Sequence, residues 1–448
     1  MQTEAVDPET WLRPWSLLRL AVPAALVALL QQAYRPLDQI YVSWLGGEAQ
    51  GALGASIFVL IVLYGIAMVI AGGIGPLVGR FTGAGDDEAR AEHLAVGLVG
   101  AGLVAVGMLV VGSVLVTPVV GLLGLQGLTA DLASLYLRTL LLTGAGMAFG
   151  PVIDNAFAAL GDTVLPLVLQ VVALVLNAVL TPILVYPAGL GVAGAALGST
   201  LAQAVVVAIG LVLLVRRTGL GVRHLGGGLA LLWRRLSRIV SIGLPVAAGV
   251  ILYALVYWGM LATSIAPLGK DVLAGLGIGF NGLETFSWPL FLGCTVAAQS
   301  LTGRFLGARR PDLVWRALRW LVPPQLVLGV VVGVVFYLAG PSLTGLMAAD
   351  EGAWREAALY AVILAWSQPF VALEAISEGV LAGSGDTRTL FWTTVPFNLL
   401  RIPLAWFLAI HLGMGAVGVW WAINATTGLK ASLKSGVVVL GRWQAVVI

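Results

Sequence analysis

The 448-residue chain repeats itself at a single spacing, and each copy is filled with apolar stretches of membrane length. Gly79-Arg80-Phe81 with Gly83-Ala84 returns as Gly303-Arg304-Phe305 with Gly307-Ala308, an offset of 224 positions (303 less 79). Gly161-Asp162-Thr163 returns as Gly385-Asp386-Thr387, and Leu135-Tyr136 as Leu359-Tyr360, at the same offset. Gly189, Gly191 and Gly194 return as Gly413, Gly415 and Gly418. Gapless matches at one spacing mark an internal duplication, a common device of membrane transporters. An even number of spans per copy sets both copies the same way up. The halves are then expected to be related by a pseudo-twofold along the membrane normal, with a cavity between them.

Composition supports the membrane reading. Hydrophobic residues make up 59% of the chain and charged ones 10%, against about 25% charged in a soluble domain. The mean hydropathy is +1.00. Such a chain cannot cover itself with a solvated surface. The net charge of +3 is too small to signal nucleic acid. One cysteine, Cys294, excludes an intramolecular disulfide and a cysteine-based metal site, and reads as an inert thiol. The three histidines are too widely spaced for a metal cluster. The N-terminal stretch, with Glu4, Asp7 and Glu9, lacks the pattern of a cleavable signal peptide.

A span needs about 20 apolar residues. The expected spans are 17–43, 53–78, 94–118, 132–157, 164–187 and 191–215, then 238–265, 272–300, 317–340, 355–380, 389–410 and 415–438. The fold class is therefore all-α and polytopic, with twelve transmembrane helices in two six-helix lobes. Strands of about ten alternating residues, the mark of a β-barrel, are missing from the pattern. The expected organisation is a cytoplasmic segment 1–16, an N-lobe 17–215, a cytoplasmic linker 216–237, a C-lobe 238–440 and a tail 441–448. Basic residues set the orientation. Arg216, Arg217, Arg223, Arg234, Arg235 and Arg238 follow the sixth span. Arg304, Arg309, Arg310, Arg316 and Arg319 follow the eighth, Arg80 and Arg90 the second, and Lys430 and Lys434 accompany the last. Both termini are thus expected in the cytoplasm, and the protein in the cell membrane. Trp11, Trp15, Trp44, Trp233, Trp315, Trp320 and Trp354 fall near span ends, as an interfacial belt requires.

Charged groups deep in a bilayer cost several kcal/mol and mark functional sites by default. In the first half these are Asp38 and Asp154, joined by Asn155 and Asn177. Gln31, Tyr34, Arg35 and Asp38 fall at i, i+3, i+4 and i+7, on one helical face. A carboxylate in a low-dielectric site can bind and release a proton, or ligate Na⁺. The plainer alternative is an ion pair of Asp38 with Arg35 that only holds helices together. Pro36 removes a backbone donor between them and can bend the span into a gate. Thr181 lies on the face of Asn177, and Thr200 adds a hydroxyl; such oxygens suit a hard cation or a proton site. The second half carries Glu284, Glu374, Glu378, Asn398, Arg401 and Asn424. Glu378 matches Asp154 at the repeat offset, and Arg401 matches Asn177. Asp38 falls near Met260 and is not duplicated, which places the coupling site in the N-terminal half. Arg401 is expected to pair with Glu374 or Glu378, leaving Arg35 and Arg401 as the deep cations. No phosphate-binding Gly-rich loop, Gly-x-Ser-x-Gly elbow or His-Glu-x-x-His motif occurs, so an enzyme is not expected, nor a cofactor.

Residues Pro23 to Ala55, with Gln31, Gln32, Tyr34, Asp38, Leu45-Gly46 and Ala52-Leu53-Gly54, resemble the first helix of the multidrug and toxic compound extrusion (MATE) family. The two Gly-Arg-Phe-x-Gly-Ala segments, the Gly-Asp-Thr segments and Arg401-Ile402-Pro403-Leu404 also look like that family, and the likeness spans roughly 17–440. Retention of Asp38 is similar to the DinF-like branch, which includes archaeal members. The resemblance implies a cation-coupled antiporter that expels small cationic amphipathic drugs by alternating access. It implies a cation site at Asp38, Asn177 and Thr200, with Gln31, Tyr136 and Asn155 nearby. Thr181 stands where the branch usually has Asp; this weakens Na⁺ binding and favours a proton site centred on Asp38, with Asp154 able to compensate. Val371 stands where the Na⁺-coupled branch has its acid. The alternative within the superfamily is a flippase for lipid-linked or amphipathic anionic substrates. A membrane-embedded enzyme would need a nucleophile–base pair or a metal cluster. The expected partners are small organic cations and membrane lipids, not nucleic acid, with the monomer as functional unit.

Overall fold

Backbone amides in lipid have no water to bond, so a chain this apolar must satisfy them internally, and helices do so within one segment. The computed structural model describes residues 8–143, 145–348 and 350–446, and among them only helices and their connections occur, with no strand. The side chains of Arg35 and Pro36 lie outside the described ones.

The chain divides into two compact units. Val27–Ala247 holds the second part of α1 (Pro14–Ser43), then α2 (Gly47–Ala84), α3 (Asp87–Leu122), α4 (Gly127–Thr143), α5 (Ala145–Ala159), α6 (Val164–Val185), α7 (Gly191–Thr218) and the first part of α8 (Gly228–Met260). Ala248–Ile448, with the start of α1 up to Leu26, holds α9 (Lys270–Ile278), α10 (Thr285–Gly307), α11 (Pro311–Leu338), α12 (Gly340–Gly345), α13 (Glu351–Leu364), α14 (Gln368–Ser384), α15 (Thr387–Trp406) and α16 (Ala416–Leu440). Among the described residues nine helical stretches are long and apolar enough to cross a membrane. The pair 127–142 and 146–159, bent by 53°, brings the number to ten if it is counted as one span. The two other expected spans, 272–300 and 415–438, coincide with α9–α10 and α16. Both are helical and both carry polar chemistry: a π-helical turn at Gly279–Glu284 joins α9 to α10, and α16 carries Lys430 and Lys434.

The repeated sequence signals have repeated structural causes. Gly161 and Gly385 take φ of +85° and +81°, which ends α5 and α14 at little steric cost. The aspartates that follow cap the next helices. Asp162 Oδ1 accepts from the Val164 and Leu165 amides at 3.0 and 3.1 Å, and Asp386 Oδ1 from the Thr389 amide at 3.3 Å. The repeated Gly194 and Gly418 let backbones meet. A Cβ on Gly194 would lie 2.6 Å from the Leu184 carbonyl, and one on Gly418 would lie 2.7 Å from that of Leu408, its counterpart 224 positions on. In lipid, where apolar transfer drives no association, small residues at such crossings are what allow helices to pack.

Each unit has its own core. Val42, Ala52, Leu137, Ala195 and Ala196 centre the first, and Val256, Met260, Tyr360, Val419 and Trp420 the second. Trp15 and Trp44 stand out at 75% and 82% exposure, as interfacial anchors do. Trp11 and Trp315 instead pack, on Phe305 with Arg304 and on Trp443.

Candidate functional site

The face of α1 expected from the i, i+3, i+7 spacing forms a wall. Gln31, Tyr34 and Asp38 line one cavity of about 210 Å³, closed by Leu53, Ile57 and Leu60 of α2, Tyr136 and Leu140 of α4, and Ser199, Thr200 and Gln203 of α7. Asp38 is buried at its edge with 7% exposure. Its Oδ2 accepts a hydrogen bond from the Ser199 hydroxyl at 2.9 Å. The Asn177 amide of α6 donates to Ser199 Oγ at 2.8 Å and to Thr181 Oγ1 at 3.0 Å. Asn177 and Thr181 are fully buried. The result is a directed chain, amide to hydroxyl to carboxylate, that fixes Asp38 from behind while the cavity reaches it from the front.

Two oxygens of this network, Asp38 Oδ1 and Asn177 Oδ1, are buried without a hydrogen-bond partner. Unsatisfied acceptors in a membrane interior are costly, and a proton on Asp38 or a small cation would relieve them. The donor set holds one carboxylate, and the described residues contain no cluster of three or more His, Cys, Asp or Glu able to hold a metal ion. That composition fits a proton or a weakly held monovalent ion better than a divalent metal. The cavity is smaller than the roughly 300–1,000 Å³ of drug-sized sites, so it has room for an ion with water rather than for a whole amphipathic drug.

The other residues singled out from the sequence divide. Thr200 lines the cavity, but its hydroxyl also donates back to Ala196 O at 2.9 Å. Asn155 turns its amide to the Pro151 carbonyl of its own helix at 2.9 Å. Asp154 lies 3.5 Å from Gln31 Nε2, at the limit of a hydrogen bond. Sequence reasoning missed Ser199, the hydroxyl that touches Asp38. Its signal was present, since it is the neighbour of Thr200 and opposes Asn177 across the α6–α7 contact, but nothing in the spacing chose it over Thr200.

The second unit holds a separate buried polar cluster, and here two expectations are corrected. Lys430 and Lys434, read from the sequence as orientation-setting residues of the last span rather than as deep cations, lie within α16 and are buried. Arg401 does not pair with Glu374 or Glu378. Its guanidinium donates to Thr426 and Thr427 hydroxyls at 3.0 and 3.2 Å and lies 5.9 Å from the Tyr257 ring. The glutamates pair with the lysines instead: Lys430 Nζ and Lys434 Nζ lie 3.0 and 2.7 Å from Glu374 Oε1, and Lys434 Nζ lies 3.1 Å from Glu378 Oε2. α14 packs closely on α16 and only weakly on α15, which puts the lysines rather than Arg401 within reach of the glutamates, and the cluster holds Lys430 and Lys434 beside the expected Arg401. Glu284, at the π-helical turn, accepts from the Tyr360 hydroxyl at 2.6 Å.

Comparison with known proteins agrees on family and fold. The MatE family matches the chain twice, over residues 23–183 and 245–407, one match in each repeat. Among similar proteins is a probable multidrug resistance protein NorM of Thermotoga maritima, 23% identical, the match covering 96% of this chain and 92% of that one. Another of that description, from Bradyrhizobium diazoefficiens, is 28% identical over 93% and 91% of the two chains. Among solved structures, a MOP superfamily transporter from Pyrococcus furiosus superposes with a TM-score of 0.91 at 20% identity, covering 99% of this chain and all of that one. An outward-facing multidrug resistance MATE family transporter also matches with a TM-score of 0.91 at 20% identity.

Proposed function

This chain belongs to the MatE family of membrane transporters, and from that membership we propose that it is a cation-coupled antiporter exporting cationic amphipathic compounds, with a proton as the coupling ion and Asp38 as its carrier. The multidrug resistance proteins to which it is similar support the substrate class. The observation that carries the coupling role is Asp38 itself: a buried carboxylate that lines a cavity, held through Oδ2 by Ser199, which Asn177 orients, with Oδ1 buried and unpartnered. Protonation neutralises the charge and turns Oδ1 into a donor; release restores an acceptor that a cationic substrate favours. A site with one carboxylate and with Thr181 in place of a second acid favours H⁺ over Na⁺. Both termini and the connection 216–237 face the cytoplasm in this reading, as the arginine bias requires.

A second reading, a flippase for amphipathic anions, draws on the buried cations Lys430, Lys434 and Arg401. Glu374 and Glu378 already neutralise the two lysines, so export of organic cations stands first. The test is uptake of a fluorescent cationic dye into proteoliposomes under an imposed pH gradient or an imposed Na⁺ gradient. Dye movement with the pH gradient alone, lost in Asp38→Asn with folding intact, is the expected result. Normal transport by Asp38→Asn refutes the role of Asp38, Na⁺-driven movement overturns the choice of ion, and no movement with either gradient brings the flippase forward.

A further inference from the structure

We propose that the Lys430–Glu374–Lys434–Glu378 cluster of the second unit is an additional proton-exchange site, at which Lys430 releases a proton to water by way of Glu378 during the transport cycle that the preceding reading assigns to the protein.

The geometry is not that of a simple structural ion pair. Two ammonium groups converge on one oxygen, Glu374 Oε1, at 3.0 and 2.7 Å. Lys434 has a second carboxylate in Glu378 at 3.1 Å, whereas the other partner of Lys430 is only the Asn398 carbonyl oxygen at 3.3 Å. Every packed helix matters to this balance. From α14 come Glu374 and Glu378, from α15 Asn398 and the Arg401 guanidinium, and from α16 itself Lys434. The third helix packed on α16, α13, meets it through the Tyr360 ring at Trp420 and the Ile363 carbonyl at Asn424. Two ammonium groups thus share Glu374, with Arg401, itself faced by Glu284, as a third cation nearby. Like charges interact strongly where water is absent, and removing one proton from Lys430 relieves that repulsion while leaving Lys434 fully paired.

A route out exists. Glu374 is 6% exposed and Lys434 is closed off, but the Glu378 side chain is 35% exposed. In the transfer, Lys434 passes an N–H proton to Glu378 Oε2 and is reprotonated through Glu374 from Lys430. The net change breaks one N–H bond at Lys430, leaves the lone pair on its Nζ, and delivers one proton to Glu378 and then to water. The repeat-related positions of the first unit are Gly150 for Glu374, Val206 for Lys430 and Gly210 for Lys434, so only the Glu378 position, Asp154, is acidic there. The two units carry different proton chemistry on one frame.

Lys430→Arg discriminates, because a guanidinium keeps the charge and donors but does not release its proton. Dye uptake driven by a pH gradient is expected to fall by about tenfold or more in Lys430→Arg, the rate cost of a raised step of about 1.4 kcal/mol. Equilibrium dye binding and thermal stability in detergent are expected to stay near wild type, as is every readout of the exposed control Lys270→Arg. Should Arg not fit, the neutral double variant Lys430→Met with Glu374→Gln removes the pair together and is expected to fold, with a lower proton-to-dye ratio in proteoliposomes. Unchanged uptake in folded Lys430→Arg, or an unchanged ratio in the double variant, overturns the inference. Loss of uptake in Asp38→Asn alongside unchanged uptake in Lys430→Arg would sink this inference and leave the transport reading standing.

Discussion

Replacing Gly198 by alanine should uncouple the protein without altering any polar group. Gly198 lies on α7 where it crosses α6, one residue before Ser199. A Cβ there would sit 2.2 Å from Thr181 Oγ1 and 2.7 Å from Thr181 Cα. The hydroxyl can swing away, but the Cα belongs to the α6 backbone. Carbon atoms rest about 3.5 Å apart, so the helices must separate by roughly 0.8 Å. The Asn177–Ser199 bond, now 2.8 Å, would then open to about 3.6 Å, which is no longer a hydrogen bond. Overpacking costs about 1–3 kcal/mol, and the lost bond about 1 kcal/mol more. Asp38 keeps its carboxylate but loses the amide that orients Ser199. The assay pairs thermal unfolding in detergent with dye uptake under a pH gradient. The expected result is a folded but less stable protein with strongly reduced gradient-driven uptake, and no rescue by Thr181→Ala, since the clash is with backbone. Wild-type uptake and stability in Gly198→Ala would refute the claim that this helix approach sets the site.

Other consequences are as direct. Arg309 is the one non-glycine residue with positive φ among those described, at +59°, and its counterpart 224 positions earlier, Gly85, takes +71°; Arg309→Gly should stabilise the protein by about 1 kcal/mol, read by thermal unfolding. Burial pushes the Asp162 carboxyl up, but the hydrogen bond from Arg217, the Leu165 amide, the Arg217 charge and the Val164 amide together hold it below the usual carboxylate range. Stability from a depressed carboxyl is present above the unfolded value of about 3.9 and is lost as pH falls through the folded value, so the advantage of wild type over Asp162→Asn should shrink below about pH 4 in thermal unfolding. Thr181→Asp adds a second carboxylate beside Asn177 and should raise Na⁺-driven uptake in proteoliposomes; no change would exclude position 181 as a ligand.

The parts of this site that were legible in the sequence are those for which the membrane penalises error most. Asp38 and Asn177 could be singled out because polar side chains in a span demand partners. The face shared by Gln31, Tyr34 and Asp38 followed from helical spacing alone. Ser199 was not legible, because serine and threonine satisfy themselves on their own helix, as Thr200 does at Ala196, and neighbouring residues point about 100° apart. Asn155 likewise turns its amide to a carbonyl one turn back. The lysines of α16 misled because basic residues near a span end read as orientation signals, and nothing in the spacing shows that Glu374 and Glu378 of α14 lie within their reach. Frame, by contrast, was plain: the repeated glycines mark turns and crossings that no other residue fits.

Those crossings also govern which mutational histories are open to the chain. Where an added methyl would strike a side chain, as at Gly97 against Ile74 Cδ1 at 2.3 Å, trimming the neighbour restores the fit, and a genetic screen would recover second-site suppressors. At Gly194 and Gly418 the obstacle is the peptide group of Leu184 or Leu408, which is the same for every amino acid. No change of neighbouring residue type removes it, so lesions at these two positions are escaped only by reversion, and the two halves of the gene stay locked to glycine there while the rest of their sequences drift apart.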